Sequence, residues 1–260
     1  MRLLLLLPLL LSACAAPEPG NTRIIGHGGS GTNVSVPINS SEALVGGLRA
    51  GLSGIEMDVQ LTADSVLVAY HDATLGATTS CSGRVNDRTW SELRACPAIY
   101  RSKAYPIVRL DSLLAIIAKQ YPHAECTFDC KLDTGGDWWS YLHAFADALA
   151  GLHDGAPTLR INVECQLPEF LHLIAQRRPA MDTYLYATRF DPTVLDTAMA
   201  RGCKGITIAN ERITAEQVIS TQRRGLAVTL FGVATVGEHR EAFSKRPERV
   251  QSDAPLTYTR

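Results

Sequence analysis

Glu56 and Asp58 stand two residues apart on a short apolar run, Gly-Ile-Glu-Met-Asp-Val-Gln-Leu (54–61). In a strand, side chains at i and i+2 share a face, so both carboxylates aim at one spot. An unpaired buried charge is costly. A hard cation held by oxygen ligands, Mg²⁺ or Ca²⁺, offsets that cost. After a turn at Thr62–Ser65, a second run, Val66–Tyr70, ends in His71-Asp72. This places an imidazole one hairpin from the acids, and imidazole suits proton transfer near neutral pH. The same spacing recurs as Asp129-x-Lys131, and His27-Gly28-Gly29 closes the first apolar run. Taken alone, Glu-x-Asp fits equally well two solvent-facing acids on a half-buried strand.

These residues need a scaffold that presents strand ends together. Strand-like runs at 23–27, 54–60, 125–132, 159–165, 183–187, 205–209, 226–232 and 249–253 alternate with helical spacing at 40–51, 109–120, 137–152, 167–177, 191–201, 213–224 and 236–244. Ser40, Asp191 and Thr214 are suited to capping helix starts, Pro192 to a first turn, and Gly202 and Gly225 to helix ends. Eight strands alternating with helices predict an α/β fold, a (β/α)₈ TIM barrel. An open doubly wound sheet is disfavoured, because no dinucleotide-type glycine fingerprint follows the first strand. Segment 61–108 is too long for a simple connection and reads as an insertion after strand two. In such barrels the active site lies at the carboxyl ends of the strands, where the unusual polar residues cluster.

The chain opens Met1-Arg2, continues as a leucine-rich run to Leu11, then Ser12-Ala13-Cys14. This pattern predicts a secretory signal over 1–13. Leu11-Ser12-Ala13-Cys14 resembles the bacterial lipobox, which implies a lipidated Cys14, a tether over 14–22 and one catalytic domain over 23–260. The expected location is the bacterial cell envelope, with membrane attachment through the lipid. A net charge of −1 without long basic runs argues against nucleic acid as a partner.

An exported chain meets an oxidising compartment, so some cysteines are expected to pair. Cys81 and Cys96 bracket a Ser-, Gly-, Asn- and Asp-rich loop and form the best pair. Cys126 and Cys130 on one strand face lie too far apart to bridge each other. His123, His143, His153, His172 and His239 lack metal spacing and read as surface residues. Trp138-Trp139 reads as a helix-start packing pair that could also touch lipid or substrate.

In order along the chain, His27-Gly28-Gly29, Pro37-Ile38-Asn39-Ser40, Glu56-x-Asp58, His71-Asp72, Asp129-x-Lys131 and Ser252-Asp253-Ala254-Pro255 resemble the glycerophosphodiester phosphodiesterase family over about 23 to 256. The resemblance implies metal-assisted hydrolysis of a small-molecule phosphodiester to sn-glycerol 3-phosphate and an alcohol. Glu56, Asp58 and Asp129 would bind Ca²⁺ or Mg²⁺, His27 and His71 would act as acid and base, and Lys131 would bring charge to the phosphate. A lyase that stops at a cyclic phosphate from lysolipid or sphingolipid, and a binding lipoprotein on the same barrel, are the alternatives.

Three positions depart from the family pattern. Gly28 stands for an arginine, Ile38 for a glutamate, and Asp129 for a glutamate one methylene longer. With no arginine at 28, Gly28 and Gly29 are expected to turn amide N–H groups to the phosphate, as anion-binding nests do. The competing expectation is that Arg189 reaches in. Phe231 is expected to wall the alcohol side. Glu164 and Arg189 either line the pocket or form a rim salt bridge, and the rim bridge is preferred.

Overall fold

The computed structural model describes residues 20–32 and 35–258. In chain order the strands and helices are β1 (Arg23–Gly26), α1 (Ser41–Arg49), β2 (Gly54–Leu61), β3 (Leu67–Ala69), α2 (Trp90–Leu93), β4 (Ala98–Tyr100), β5 (Lys103–Tyr105), β6 (Val108–Arg109), α3 (Leu110–Gln120), β7 (Glu125–Cys130), α4 (Trp138–Gly155), β8 (Arg160–Cys165), α5 (Pro168–Arg177), β9 (Asp182–Ala187), α6 (Pro192–Ala200), β10 (Gly205–Ala209), α7 (Ala215–Arg223), β11 (Ala227–Val233), α8 (Val236–Ser244) and β12 (Arg249–Ser252). Parallel pairing runs β1-β12-β11-β10-β9-β8-β7-β2, and a β1–β2 pairing closes the ring. The result is a closed eight-stranded (β/α)₈ barrel, as expected, with the strands where the apolar runs lie.

Alternation along each strand separates two environments. Ile55, Met57 and Val59 of β2 and Cys126, Phe128 and Cys130 of β7 belong to the apolar core that also takes in Leu110, Leu114, Leu142 and Phe145 of α3 and α4. The intervening residues, Glu56, Asp58, Thr127 and Asp129, fill the other face, the barrel interior. Helix starts are capped where expected: Ser40 accepts from the Ala43 amide, Asp191 from Thr193 and Thr214 from Gln217. Each such cap satisfies an amide the helix itself leaves unbonded.

The insertion is a small substructure beside the barrel mouth. β3 returns antiparallel on β2 with Val59 opposite Ala69, β6 pairs with β3, and β4 and β5 form their own hairpin. Its separate core contains Val68, Tyr70, Leu75, Val85, Leu93 and Ile107. Cys81 and Cys96 are joined in a disulfide with Cα atoms 5.7 Å apart, which confirms the expected pair. Cys126, Cys130, Cys165 and Cys203 are buried free thiols. Among the described residues no helix is long and apolar enough to cross a membrane; Cys14 lies outside them.

At the amino-terminal end of the barrel, Glu125 meets three arginines, the most exposed of them Arg160 at 3.8 Å from its Oε2. Arg249 donates to its Oε1 at 2.7 Å and Arg23 lies 2.8 Å from its Oε2. Asn162 donates to the same Oε1 at 2.7 Å, and the Arg249 guanidinium packs 3.7 Å from the Tyr184 ring centroid.

Candidate active site

At the carboxyl ends of the strands, Glu56 from β2, Asp129 from β7 and Glu164 from β8 bring carboxylate oxygens within 4.8 Å of one another. The register places Asp58 opposite Asp129 and Asp129 opposite Glu164, so neighbouring parallel strands stack their acids side by side. Burial disfavours the charge on each, and the acids oppose one another. Burial and the Asp58 charge hold Glu56 well above the ordinary carboxylate range. Burial, with Asp58, raises Asp129 despite Lys131. Burial and the Asp129 charge push Glu164 up to about 7. A cluster that resists its own ionisation in this way fits a divalent cation, and carboxylate oxygens are donors suited to a hard one.

Asp58, expected as the third ligand, is not in that trio. Its Oδ2 accepts from Asn39 Nδ2 at 2.7 Å, its amide donates to Asn39 Oδ1 at 3.0 Å, and its Oδ1 faces Lys131 Nζ at 3.0 Å. Lys131 also pairs with Asp129. Burial works against the Lys131 charge, but Asp58 and Asp129 outweigh it and hold the ammonium firmly protonated. Glu164 joins the trio instead of making the preferred rim salt bridge. It is 1% exposed and accepts from Thr207 Oγ1 and Gln251 Nε2, each at 2.7 Å. Glu164 lies in the interior because it alternates with the outward Val163 and Cys165. Arg189 lies with Thr188, Thr193 and Thr197 in a shallow depression that meets the acidic cavity at Gln166 and Tyr186.

His27 leaves β1 directly into the site. Its Nδ1 is 2.6 Å from Asp253 Oδ1, which follows β12, and its Nε2 is 3.9 Å from Glu56 Oε2. Burial works against the imidazolium, but the Asp253 hydrogen bond and the Glu56 charge outweigh it and raise the pKa to about 9. Within the Ser252–Pro255 motif nothing local marks Asp253 as the partner of His27, because that contact depends on closure of the barrel. His71 is exposed beyond β3, with Nδ1 2.9 Å from Asp72 Oδ1. It borders two cavities, an acidic one of about 390 Å³ with Asp129, Lys131, Trp138 and Tyr186, and an apolar one of about 330 Å³.

Gly28 and Gly29 do not form the expected phosphate-facing nest. The Gly28 amide donates to Glu56 Oε2 at 2.8 Å and the Gly29 amide to Gly26 O at 3.1 Å. The glycines serve packing. Gly28 has φ +55° and a Cβ there would lie 2.4 Å from Ile38 Cβ; at Gly29 (φ +102°) a Cβ would lie 2.5 Å from the Ala43 carbonyl carbon. Phe231 stacks on Tyr186 at a centroid distance of 5.1 Å. Tyr186 was not anticipated; it alternates inward on β9 beside the acids. Trp138 is partly exposed at the start of α4 and stacks on Tyr141 at 6.0 Å. His239, expected at the surface, is 1% exposed, with Nδ1 2.8 Å from Thr235 O and Nε2 2.7 Å from Ser252 Oγ.

The family model for the glycerophosphoryl diester phosphodiesterase family matches residues 27–256. The chain belongs to that family. Among glycerophosphodiester phosphodiesterases, the protein of Caldanaerobacter subterraneus subsp. tengcongensis is 42% identical over 77 residues, 30% of this chain and 31% of that protein. Glycerophosphodiester phosphodiesterase 1 of Bos taurus is 29% identical over 166 residues, 62% of this chain and 47% of that protein. The chain thus spans less than half the length of these curated relatives. Two solved structures share the fold. A phosphodiesterase from Silicibacter pomeroyi aligns with TM-score 0.80, 21% identity and 91% coverage of both chains. One from Oleispira antarctica, in complex with sn-glycerol-3-phosphate, aligns with TM-score 0.77 and 18% identity over 90% of this chain and 94% of that one.

Proposed function

We propose that this member of the glycerophosphoryl diester phosphodiesterase family hydrolyses glycerophosphodiesters to sn-glycerol 3-phosphate and an alcohol. The acidic trio Glu56, Asp129 and Glu164 beside the His27–Asp253 pair carries this reading. Ca²⁺ or Mg²⁺ fits the trio, with Asp58 next to it. A cation held there would polarise the phosphoryl oxygens and offset charge developing on them. Lys131 holds a second positive charge at the same place. The glycerol hydroxyl beside the diester attacks phosphorus, and the bond from phosphorus to the alcohol oxygen breaks. One of His27 and His71 accepts the hydroxyl proton and the other delivers a proton to the departing alcohol. Asp253 fixes the tautomer of His27 and stabilises its charged form. Water then opens the cyclic phosphate. Export and lipidation at Cys14 would set this chemistry in the cell envelope, and a mature amino terminus other than position 14 by mass spectrometry would exclude the anchor.

The test is ³¹P NMR of glycerophosphocholine incubated with the protein, with and without exhaustive chelation. Expected is sn-glycerol 3-phosphate that vanishes on chelation and returns with Ca²⁺ or Mg²⁺. Full activity in chelated protein removes the cation from the reading, accumulation of cyclic phosphate makes the protein a lyase, and no turnover leaves a binding protein.

A further inference from the structure

The apolar cavity that shares His71 with the acidic one is not needed to bind a phosphate. It lies between the 36–40 segment and the insertion, walled by Val36, Ile38, Ile99, Tyr105, Pro106 and Ile107. Its polar side chains are largely engaged elsewhere. Asn39 is bonded to Asp58, Ser40 Oγ donates to Pro37 O at 2.7 Å, and Tyr70 Oη lies 2.8 Å from Thr78 Oγ1. A polar occupant would find few of these groups unpartnered, whereas an apolar one loses nothing by displacing water. Ile99 nevertheless leaves 50% of its surface exposed at this wall. The disulfide that closes at Cys96 holds the chain just before β4, so the wall has a fixed position.

We propose that this groove binds a single unbranched acyl or alkyl chain carried by the phosphodiester, making the substrate class lysophospholipid-like rather than fully deacylated. The inference rests on the phosphodiesterase reading above for its orientation. His71 lines both cavities, so the apolar groove ends one side chain away from a phosphate beside Asp129 and Lys131. The chain could hang from the glycerol or from the alcohol. Both arrangements present the same methylene surface to the groove.

The test uses the full chain carrying Cys14→Ser, so that no lipid of its own competes. Binding of n-alkylphosphocholines with roughly four to ten carbons is measured by calorimetry below their micelle concentrations. Affinity should rise by up to about fourfold per added methylene, the transfer free energy of one CH₂, and then plateau as the groove fills. Ile99→Asp should flatten that rise and leave the shortest compound unchanged. Affinity independent of chain length, or a rise that Ile99→Asp does not touch, overturns the proposal. Then kcat/KM is compared for glycerophosphocholine, 1-acyl-lysophosphatidylcholine and glycerophospho-octanol. A gain of tenfold or more for one long-chain substrate supports the proposal and shows which side of phosphorus bears the chain; no gain for either overturns it. Chain-dependent binding with no turnover of any of the three defeats the phosphodiesterase reading and leaves the groove assignment standing.

Discussion

Glu125 and Glu164 occupy the same barrel interior, 2% and 1% exposed, at opposite ends of neighbouring strands. Glu125 faces Arg249 and Arg23. Glu164 faces Glu56 and Asp129, and only Lys131 and His27 bring positive charge among the described ion pairs at that end. One layer closes its charge within the chain and the other leaves it open. A closed layer joins strands, whereas an open one asks for a ligand, because buried like charges persist together only when something else compensates them. The same residue type is therefore neutralised within the chain at one end and left among like charges at the other, and its partners decide which.

The comparison predicts different failures at the two ends. The largest concerns chemistry: His27→Ala and His71→Ala should each lower kcat by about 10²–10⁴-fold with little change in thermal midpoint. Near-native turnover in either would take that histidine out of the mechanism. Next comes the closed layer. Glu125→Gln should cost about 3–5 kcal/mol of stability, because Arg249 and Arg23 lose a buried partner, and denaturant titration reads this directly. The open layer should behave in the opposite sense. Glu164→Gln should change the chelated protein's stability little and shrink the stabilisation that added Ca²⁺ or Mg²⁺ provides, which for wild type at a hundredfold excess over Kd is about 2.7 kcal/mol. Equal cation responses in Glu164→Gln and Glu125→Gln would erase the distinction.

Two smaller effects sharpen it. Gly28→Ala should cost about 1–2 kcal/mol from its left-handed backbone alone, and more from the contact with the Ile38 Cβ; Ile38→Gly in the same chain, which removes that Cβ, should recover only the second part. Arg189→Ala should be mild in the activity assay, because none of the described ion pairs joins it to the acids. The smallest effect is at His239. Burial lowers its pKa below the ordinary histidine value. The stability it contributes is thus fully present above about pH 6.5 and is lost as pH falls through the lowered folded value. His239→Gln should remove that slope from a plot of thermal midpoint against pH.

Most of the fold could be read along the chain because strand and helix periods differ and caps mark the borders. β2, for instance, shows apolar alternation around Glu56 and Asp58, and α6 begins at Asp191-Pro192. The candidate site was legible where residues are near in sequence, as with Asp129 and Lys131, which pair with each other. It was illegible where closure of the barrel brings together residues far apart. Asp253 meets His27 and Glu164 joins Glu56 only through register across several strands. The amide groups at Gly28 and Gly29 were misjudged because local composition tells that a turn is tight without telling where its N–H groups point. His239 was misjudged because a helix face was assigned to solvent without knowing that β12 packs against it.

The hydrogen bond between His27 and Asp253 spans 226 residues of sequence and joins the first barrel strand to the last. During synthesis β1 emerges early and must wait for β12 before the ring can shut. Contacts of such long range form late, since their loop-closure entropy is large until the intervening chain is ordered. The contact that tunes His27 is thus also among the last steps of folding. A chain still being made holds His27 and Asp253 apart, and the pair forms only with the closing strand.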